Sequence, residues 1–435
     1  MRILEKPRAI AKATPDDRLR SIDLVRTVSM LVVVVGHWLL ALVWINSGGE
    51  TEVGYALSES KVMQYMTWIL QVMPLFFLAG GFSNARSYAA ARNKGTPRRE
   101  WLVSRMQRII KPTLPVIAFW SLAVFTIGRL ADQEILQGAV LVATIPMWFL
   151  SVYLMAVMAA PFTLVAWEKW GVKTIVFGIF VAVLVDIIRI KFGVEWFGYL
   201  NFLAVWLTIH QAGHGWDKRP SVKTGWVMAG VGLALLAVLT SVGPYAVSMV
   251  GVPGATQMGN TAPPTIVLLA LALFQAGLLV VSTPRLERWL KKETPWSMVI
   301  LASAFSMSVY LWHKTAMVIL ILTSVTVAQG LIQTVPLTAT WWMTRPVWIA
   351  LLILVTLPLV AFFQRFERNT AKKVTRSPLS LSCGAVIFSA AILSIIALGL
   401  TNAAGQTRLW IPLSAFVGAS LAGAITLKSR PSPRA

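Results

Sequence analysis

Cysteine and acid are what this chain has least of. A single cysteine, Cys383, among 435 residues excludes an internal disulfide and any cysteine-based metal site. Only 17 Asp and Glu stand against 39 Lys and Arg, for a formal net charge of +22. Charged residues make up 13% of the chain, against about 25% in soluble domains, and no hydrophilic stretch is long enough to form one. Within the apolar segments acid is nearly absent, Asp186 near a boundary being the exception. A proton- or sodium-coupled carrier usually needs acids or broken helices at mid-membrane, so this scarcity argues against transport.

Apolar length is what the chain does have. Hydrophobic residues are 57% of it, with a mean hydropathy of +0.70. Twelve apolar segments can be read, at 24–45, 61–82, 112–130, 140–166, 174–190, 197–211, 224–242, 264–282, 297–326, 346–363, 382–400 and 409–427. Most have the roughly 20 residues that a membrane span requires. The expected fold is all-α, a polytopic transmembrane helical bundle of about ten core spans plus a C-terminal helical hairpin. Its divisions are a basic tail (1–20), a core (21–366), a polar linker (367–381), the hairpin (382–427) and a short tail (428–435). The fifth and sixth segments are short, and Arg189, Lys191 and Glu195 interrupt them.

The basic residues sort by side. With the N-terminus in the cytoplasm, 31 Lys and Arg fall in tails and loops on that side, six on the other, and two, Arg26 and Lys314, inside segments. This is the positive-inside asymmetry. It predicts a multi-pass protein of the plasma or inner membrane with both termini cytoplasmic. It also reassigns the positive charge from nucleic-acid binding to topology and the lipid bilayer. The N-terminal basic stretch precedes about 22 apolar residues, longer than a signal-peptide core, so it reads as a retained first helix. Tryptophans near segment ends, among them Trp44, Trp101, Trp167, Trp170, Trp196, Trp216, Trp296 and Trp410, fit interfacial belts. Residues 98–110, basic and bracketed by Pro97 and Pro112, predict an amphipathic helix lying along the cytoplasmic surface.

Chemistry enters with ionisable groups inside spans, which are functional hypotheses by default. Arg26 and His37 share the first segment, eleven residues apart. That spacing is three turns plus roughly 20°, so both project from one helix face about 16 Å apart along the axis. Arg26 is either a boundary anchor that snorkels or a guanidinium that holds phosphate or carboxylate through paired hydrogen bonds. Asp23, three residues earlier, is its expected ion-pair partner. His37 lies too deep to snorkel and is either a packed imidazole or a general base. His313 is a second candidate, and the adjacent Lys314 is expected to point elsewhere or snorkel outward. His210 and His214 have an i, i+4 spacing that can bind metal, but no carboxylate motif accompanies them, so an interfacial helix end is the better reading and no metal is expected. Arg105 and Arg108, with Lys111, form either a membrane-hugging face or a clamp for the phosphates of a cytoplasmic donor.

Four local patterns then give the chain a resemblance. IDLVRTVSMLVVVVGHW at 22–38 contains Arg-x10-His. PLFFLAGGFSNARS occupies 74–87, RMQRIIKP 105–112 and SMSVYLWH 306–313, with a weaker echo in WFLSVYL at 148–154. In order and topology these resemble the membrane acyltransferase-3 family of integral-membrane O-acyltransferases, over roughly 18–366. The resemblance implies an enzyme that moves an acyl group from acyl-CoA, acetyl-CoA in the simplest case, as co-substrate rather than bound cofactor. The acceptor is a hydroxyl of a cell-envelope sugar or glycolipid. It further implies His37 as general base, with His313 and Tyr310 orienting the acceptor or polarising the carbonyl. Arg26, Arg105 and Arg108 would hold the donor, and Asp23 would support Arg26. A covalent acyl-histidine route stays open. The competing class is a carrier or flippase for a lipid-linked sugar, with His37 as a proton relay.

Overall fold

A computed structural model describes residues 5–128, 130–218, 220–252, 258–367, 376–402 and 405–425. Most of the expected linker and the whole C-terminal tail lie outside the described residues. The chain divides into two units, one comprising residues 1–86 and 162–360, the other residues 87–161 and 361–435.

In the first unit, α1 (Glu5–Lys12) is followed by α2 (Arg20–Leu40), β1 (Ala41–Ile45), β2 (Thr51–Tyr55), α3 (Ala56–Glu59) and α4 (Lys61–Leu70). The basic tail is therefore partly folded. Ala11 of α1 packs with Leu290, Trp296 and Val299, and Glu293 pairs with Arg8 and Lys12 at 3.8 Å. The first span ends five residues sooner than its hydropathy suggests. Ala41–Ile45 forms a strand, antiparallel to Thr51–Tyr55 with Ala41 opposite Tyr55 and Ile45 opposite Thr51. Asn46 makes the turn, its Oδ1 accepting from the amides of Gly48 and Glu50 at 2.9 and 3.0 Å, while Gly49 adopts φ +83°. A short apolar run fits helix or strand equally well, and the side-chain-capped turn decides between them.

The second expected span is broken. After α4 the helix restarts as α5 (Met73–Asn93), and freed carbonyls need donors. Gln275 supplies them, donating Nε2 to the carbonyls of Trp68 at 3.2 Å and Gln71 at 3.0 Å.

The second unit holds the end of α5, α6 (Arg98–Ile127), α7 (Gln133–Thr144) and the first part of α8 (Trp148–Trp170). Here the expected surface helix at 98–110 is corrected: α6 runs unbroken through Pro112 and Pro115, with Trp101, Leu102, Val103, Met106, Ile109 and Ile110 buried. Thr113 Oγ1 donates to the Ile109 carbonyl at 2.7 Å, the kind of side-chain repair that lets membrane helices tolerate proline.

The chain then returns to the first unit with α9 (Lys173–Phe192), α10 (Asn201–Ala212), α11 (Val222–Ser241), α12 (Val267–Leu290), α13 (Glu293–Thr326) and most of α14 (Ala339–Glu367). The buried Asp186 carboxylate accepts from Asn201 Nδ2 at 2.8 Å, Tyr245 Oη at 3.0 Å and the Ile266 amide at 2.9 Å. It thus pins both ends of the loop between α11 and α12 and has a structural task. Helices α11 and α12 meet backbone to backbone, since a Cβ on Gly277 would lie 2.4 Å from the Ala229 nitrogen, the small-residue contact of membrane helices.

Finally α15 (Pro378–Leu398) and α16 (Trp410–Leu421) pack on each other in the second unit. They are not an isolated appendage: α16 packs on α6 and α15 on α7, and Gln107 Nε2 donates to the Gly423 carbonyl at 2.7 Å.

The protein is an all-α polytopic membrane bundle, with nine helical stretches among the described residues long and apolar enough to cross a membrane. The remaining three expected spans differ. Helix α9 carries Asp186, Arg189 and Lys191, while α10 and α16 have 12 residues each, or about 18 Å of rise. Trp101, Trp216 and Trp296 are buried and so are not belt residues.

Candidate active site

Helix α2 packs along α13 in the first unit, and this contact brings His37 and His313 together from 276 residues apart. Their rings meet at 2.9 Å, Nδ1 of His37 to Nε2 of His313. The ring planes differ by 7° and the centroids are 5.2 Å apart. That separation equals the hydrogen bond plus the two ring radii, the largest the contact permits. The imidazoles therefore lie end to end in nearly one plane rather than face to face.

The direction of this bond follows from its neighbour. His313 Nδ1 lies 2.5 Å from the Tyr310 carbonyl, an oxygen that can only accept. His313 Nδ1 must donate, so in the neutral ring Nε2 carries a lone pair and accepts from His37 Nδ1–H. The same logic passes outward: with Nδ1 of His37 protonated, its Nε2 lone pair is open. A backbone carbonyl thereby sets the tautomers of two histidines in series, the role that oriented partners play for catalytic imidazoles. Trp38 Nε1 donates to the His313 carbonyl at 3.1 Å, fastening α2 to α13 at this level. His313 is fully buried, whereas His37 is only partly so and is the member of the pair with accessible surface. Tyr310 contributes its main-chain oxygen, and its buried ring lies 5.8 Å from that of His313.

Arg26 is half-buried on α2, its guanidinium 5.9 Å from the Phe76 ring centroid. Its Nε is buried with no hydrogen-bond partner among the described residues. The expected Asp23 partnership is corrected: Asp23 accepts from Arg18 Nε at 2.8 Å and Nη2 at 3.2 Å. Arg18 stands two residues before the start of α2 and reaches forward to the carboxylate, leaving Arg26 available to a ligand.

Of the two expectations for Lys314, outward snorkelling is corrected. The residue is buried, at 9% relative exposure, rather than snorkelling. In the second unit Arg105 donates to Ser87 Oγ and lies 5.6 Å from the Trp101 ring centroid, while Arg108 is exposed.

The other histidine pair is buried too. His210 Nε2 meets Asn84 Nδ2 at 3.1 Å. His214 Nδ1 donates to the Gly81 carbonyl at 3.2 Å, and its Nε2 meets Thr163 Oγ1 at 3.0 Å. No group of three or more metal-ligating side chains occurs among the described residues.

A membrane-embedded imidazole with a fixed tautomer, on the same helix as a guanidinium whose buried Nε has no hydrogen-bond partner among the described residues, defines a candidate acyl- or group-transfer site. A family model described as an acyltransferase domain matches residues 19–365, and the chain belongs to the acyltransferase-3 family. Neither a curated protein nor a solved structure matches it. Sequence reasoning missed Trp38 and Phe76, whose apolar type gave no signal, and set Lys314 aside.

Proposed function

We propose that this multi-pass membrane acyltransferase moves an acyl group, acetyl in the simplest case, from cytoplasmic acyl-CoA to a hydroxyl of a cell-envelope sugar or glycolipid, in the plasma or inner membrane with both termini cytoplasmic. The observation that carries the reading is the open Nε2 of His37, made a lone pair by the relay through His313 to the Tyr310 carbonyl. A base of this kind contributes about 10²–10⁴-fold.

In the reaction, His37 Nε2 takes the proton of the acceptor hydroxyl as its oxygen adds to the thioester carbonyl. The proton later leaves with the CoA thiolate as thiol. His313 holds the ring through both transfers. Arg26, with no protein acceptor at its buried Nε, binds an anionic group of the donor. About 16 Å of helix rise between it and His37 suits an extended pantetheine arm. Arg105 and Arg108 are further candidates for the donor phosphates, each tested through its own variant.

The experiment uses the purified chain in detergent with radiolabelled acetyl-CoA and a cell-envelope glycolipid extract. Label should move to the extract, and His37→Ala should abolish transfer while leaving the protein folded. An intact thioester in the wild-type reaction would refute the assignment and favour the carrier, whose proton would travel the same pair of rings.

A further inference from the structure

Lys314 is a buried cation that the proposed reaction has not yet used. It lies 21 residues from the start of α13 and 12 from its end, or about 32 and 18 Å of helix rise. A four-carbon stem reaches neither end. Sideways escape is closed as well, because the nine consecutive residues Tyr310–Val318 are all buried, enclosing every face of the helix. Among the described residues Lys314 has no hydrogen bond or ion pair. The one buried carboxylate among them, Asp186, is taken by Asn201, Tyr245 and Ile266.

A charge buried without a counter-charge is costly, and an apolar side chain of the same shape is often better for the fold. The cost calls for an anion that the described residues do not supply. Lys314 directly follows His313 on α13, and α2 packs along that helix at the level where His37 meets His313, so its charge stands close to the paired imidazoles. The place it serves is therefore where the proton is removed. A resident anion there would pair with protonated His37 and hinder release of its proton to the leaving thiolate, whereas a transient anion would not.

Resting on the acyl-transfer reading, we propose that the Lys314 ammonium is the electrophilic partner of His37: it holds the acyl carbonyl oxygen and takes the negative charge that forms there. As the acceptor oxygen bonds to the carbonyl carbon, the π pair moves onto the carbonyl oxygen beside Lys314 and the hydroxyl proton moves to His37 Nε2. When the pair returns, the carbon–sulfur bond breaks and the thiolate takes the proton from His37. The products are an ester and free thiol, with Lys314 unchanged. Donors aimed at such an oxyanion typically contribute about 10²–10³ in kcat.

The test measures thiol release from acetyl-CoA by the full chain in proteoliposomes, with the glycolipid extract as acceptor. In Lys314→Met, kcat should fall about 10²–10³-fold with KM for acetyl-CoA unchanged and the melting temperature equal or higher. Lys314→Gln should behave alike. Unchanged kcat in Lys314→Met overturns the proposal. So does a higher KM for the extract at unchanged kcat, which assigns Lys314 to an acceptor anion. A lower melting temperature in both variants assigns it to structure and also overturns it. An inactive wild type removes the acyl-transfer reading and this proposal together, and an active His37→Ala removes His37 as the base and this proposal with it. A His37-dependent wild type with a fully active Lys314→Met removes this proposal alone.

Discussion

The first unit contains two histidine pairs, and their difference is instructive. His210 and His214 stand four residues apart, the spacing that sequence alone associates with metal. In the structure both are spent on packing: His214 is hydrogen-bonded at both nitrogens, and His210 meets Asn84 where α5 and α10 touch so closely that a Cβ on Gly81 would overlap the His210 carbonyl oxygen. His37 and His313 are 276 residues apart and bond to each other. That bond leaves one nitrogen open. Nearness in sequence marks a structural joint here, and distance in sequence marks the pair proposed to react.

Substitution separates the pairs most strongly at His37. His37→Ala is expected to lose about 10²–10⁴-fold in transfer with an unchanged melting temperature, whereas His210→Ala should lower the melting temperature and leave turnover per folded molecule near wild type. Steady-state kinetics beside thermal unfolding in detergent reads both. Equal kinetic losses in the two variants would erase the contrast.

His313→Ala should cost less, about 10–100-fold, in the range of partners that orient an imidazole. The loss should fall on kcat, since His313 is sealed from substrate. A rise in KM alone would place His313 in acceptor binding instead.

Arg26→Lys keeps the charge but loses the paired geometry. It should raise KM for acetyl-CoA about tenfold, the equivalent of about 1.4 kcal/mol, without changing kcat. Unaltered KM would return Arg26 to the role of boundary anchor.

The last contrast is one of stability rather than kinetics and belongs to His214, just beyond the end of α10. Burial pushes its pKa down to about 4, against the Gly81 carbonyl, which favours the charged ring. The unfolded chain, near 6.5, therefore binds more protons than the folded one between these values. Stability is full above about pH 6.5 and declines as pH falls toward 4, by up to about 3 kcal/mol. Melting temperatures from pH 7 to 4 should fall less steeply in His214→Gln than in wild type, and parallel curves would contradict this.

How much of this was legible beforehand follows from the kind of signal each residue gives. Apolar length exposed the bundle, because lipid imposes one backbone solution. It misjudged Ala41–Ile45, whose five residues fit strand or helix, and the 98–110 helix, where Pro112 read as a boundary but left α6 continuous. Arg26 and His37 stood out because charge is costly in a span. The pairing of His37 with His313 was not legible, since it depends on how α2 meets α13. Asp23 went to Arg18 because three candidate cations lie within reach in sequence, and only coordinates choose among them. Lys314 was dismissed for want of a visible constraint, and the burial of the continuous stretch Tyr310–Val318 around it supplies one.

The central claim is that His37 and His313 act as one base, and a double-mutant cycle tests it directly. If the second ring works only through the first, kcat of His37→Ala/His313→Ala should equal that of His37→Ala alone. Losses that multiply to the product of the single effects would show two independent roles and contradict the relay.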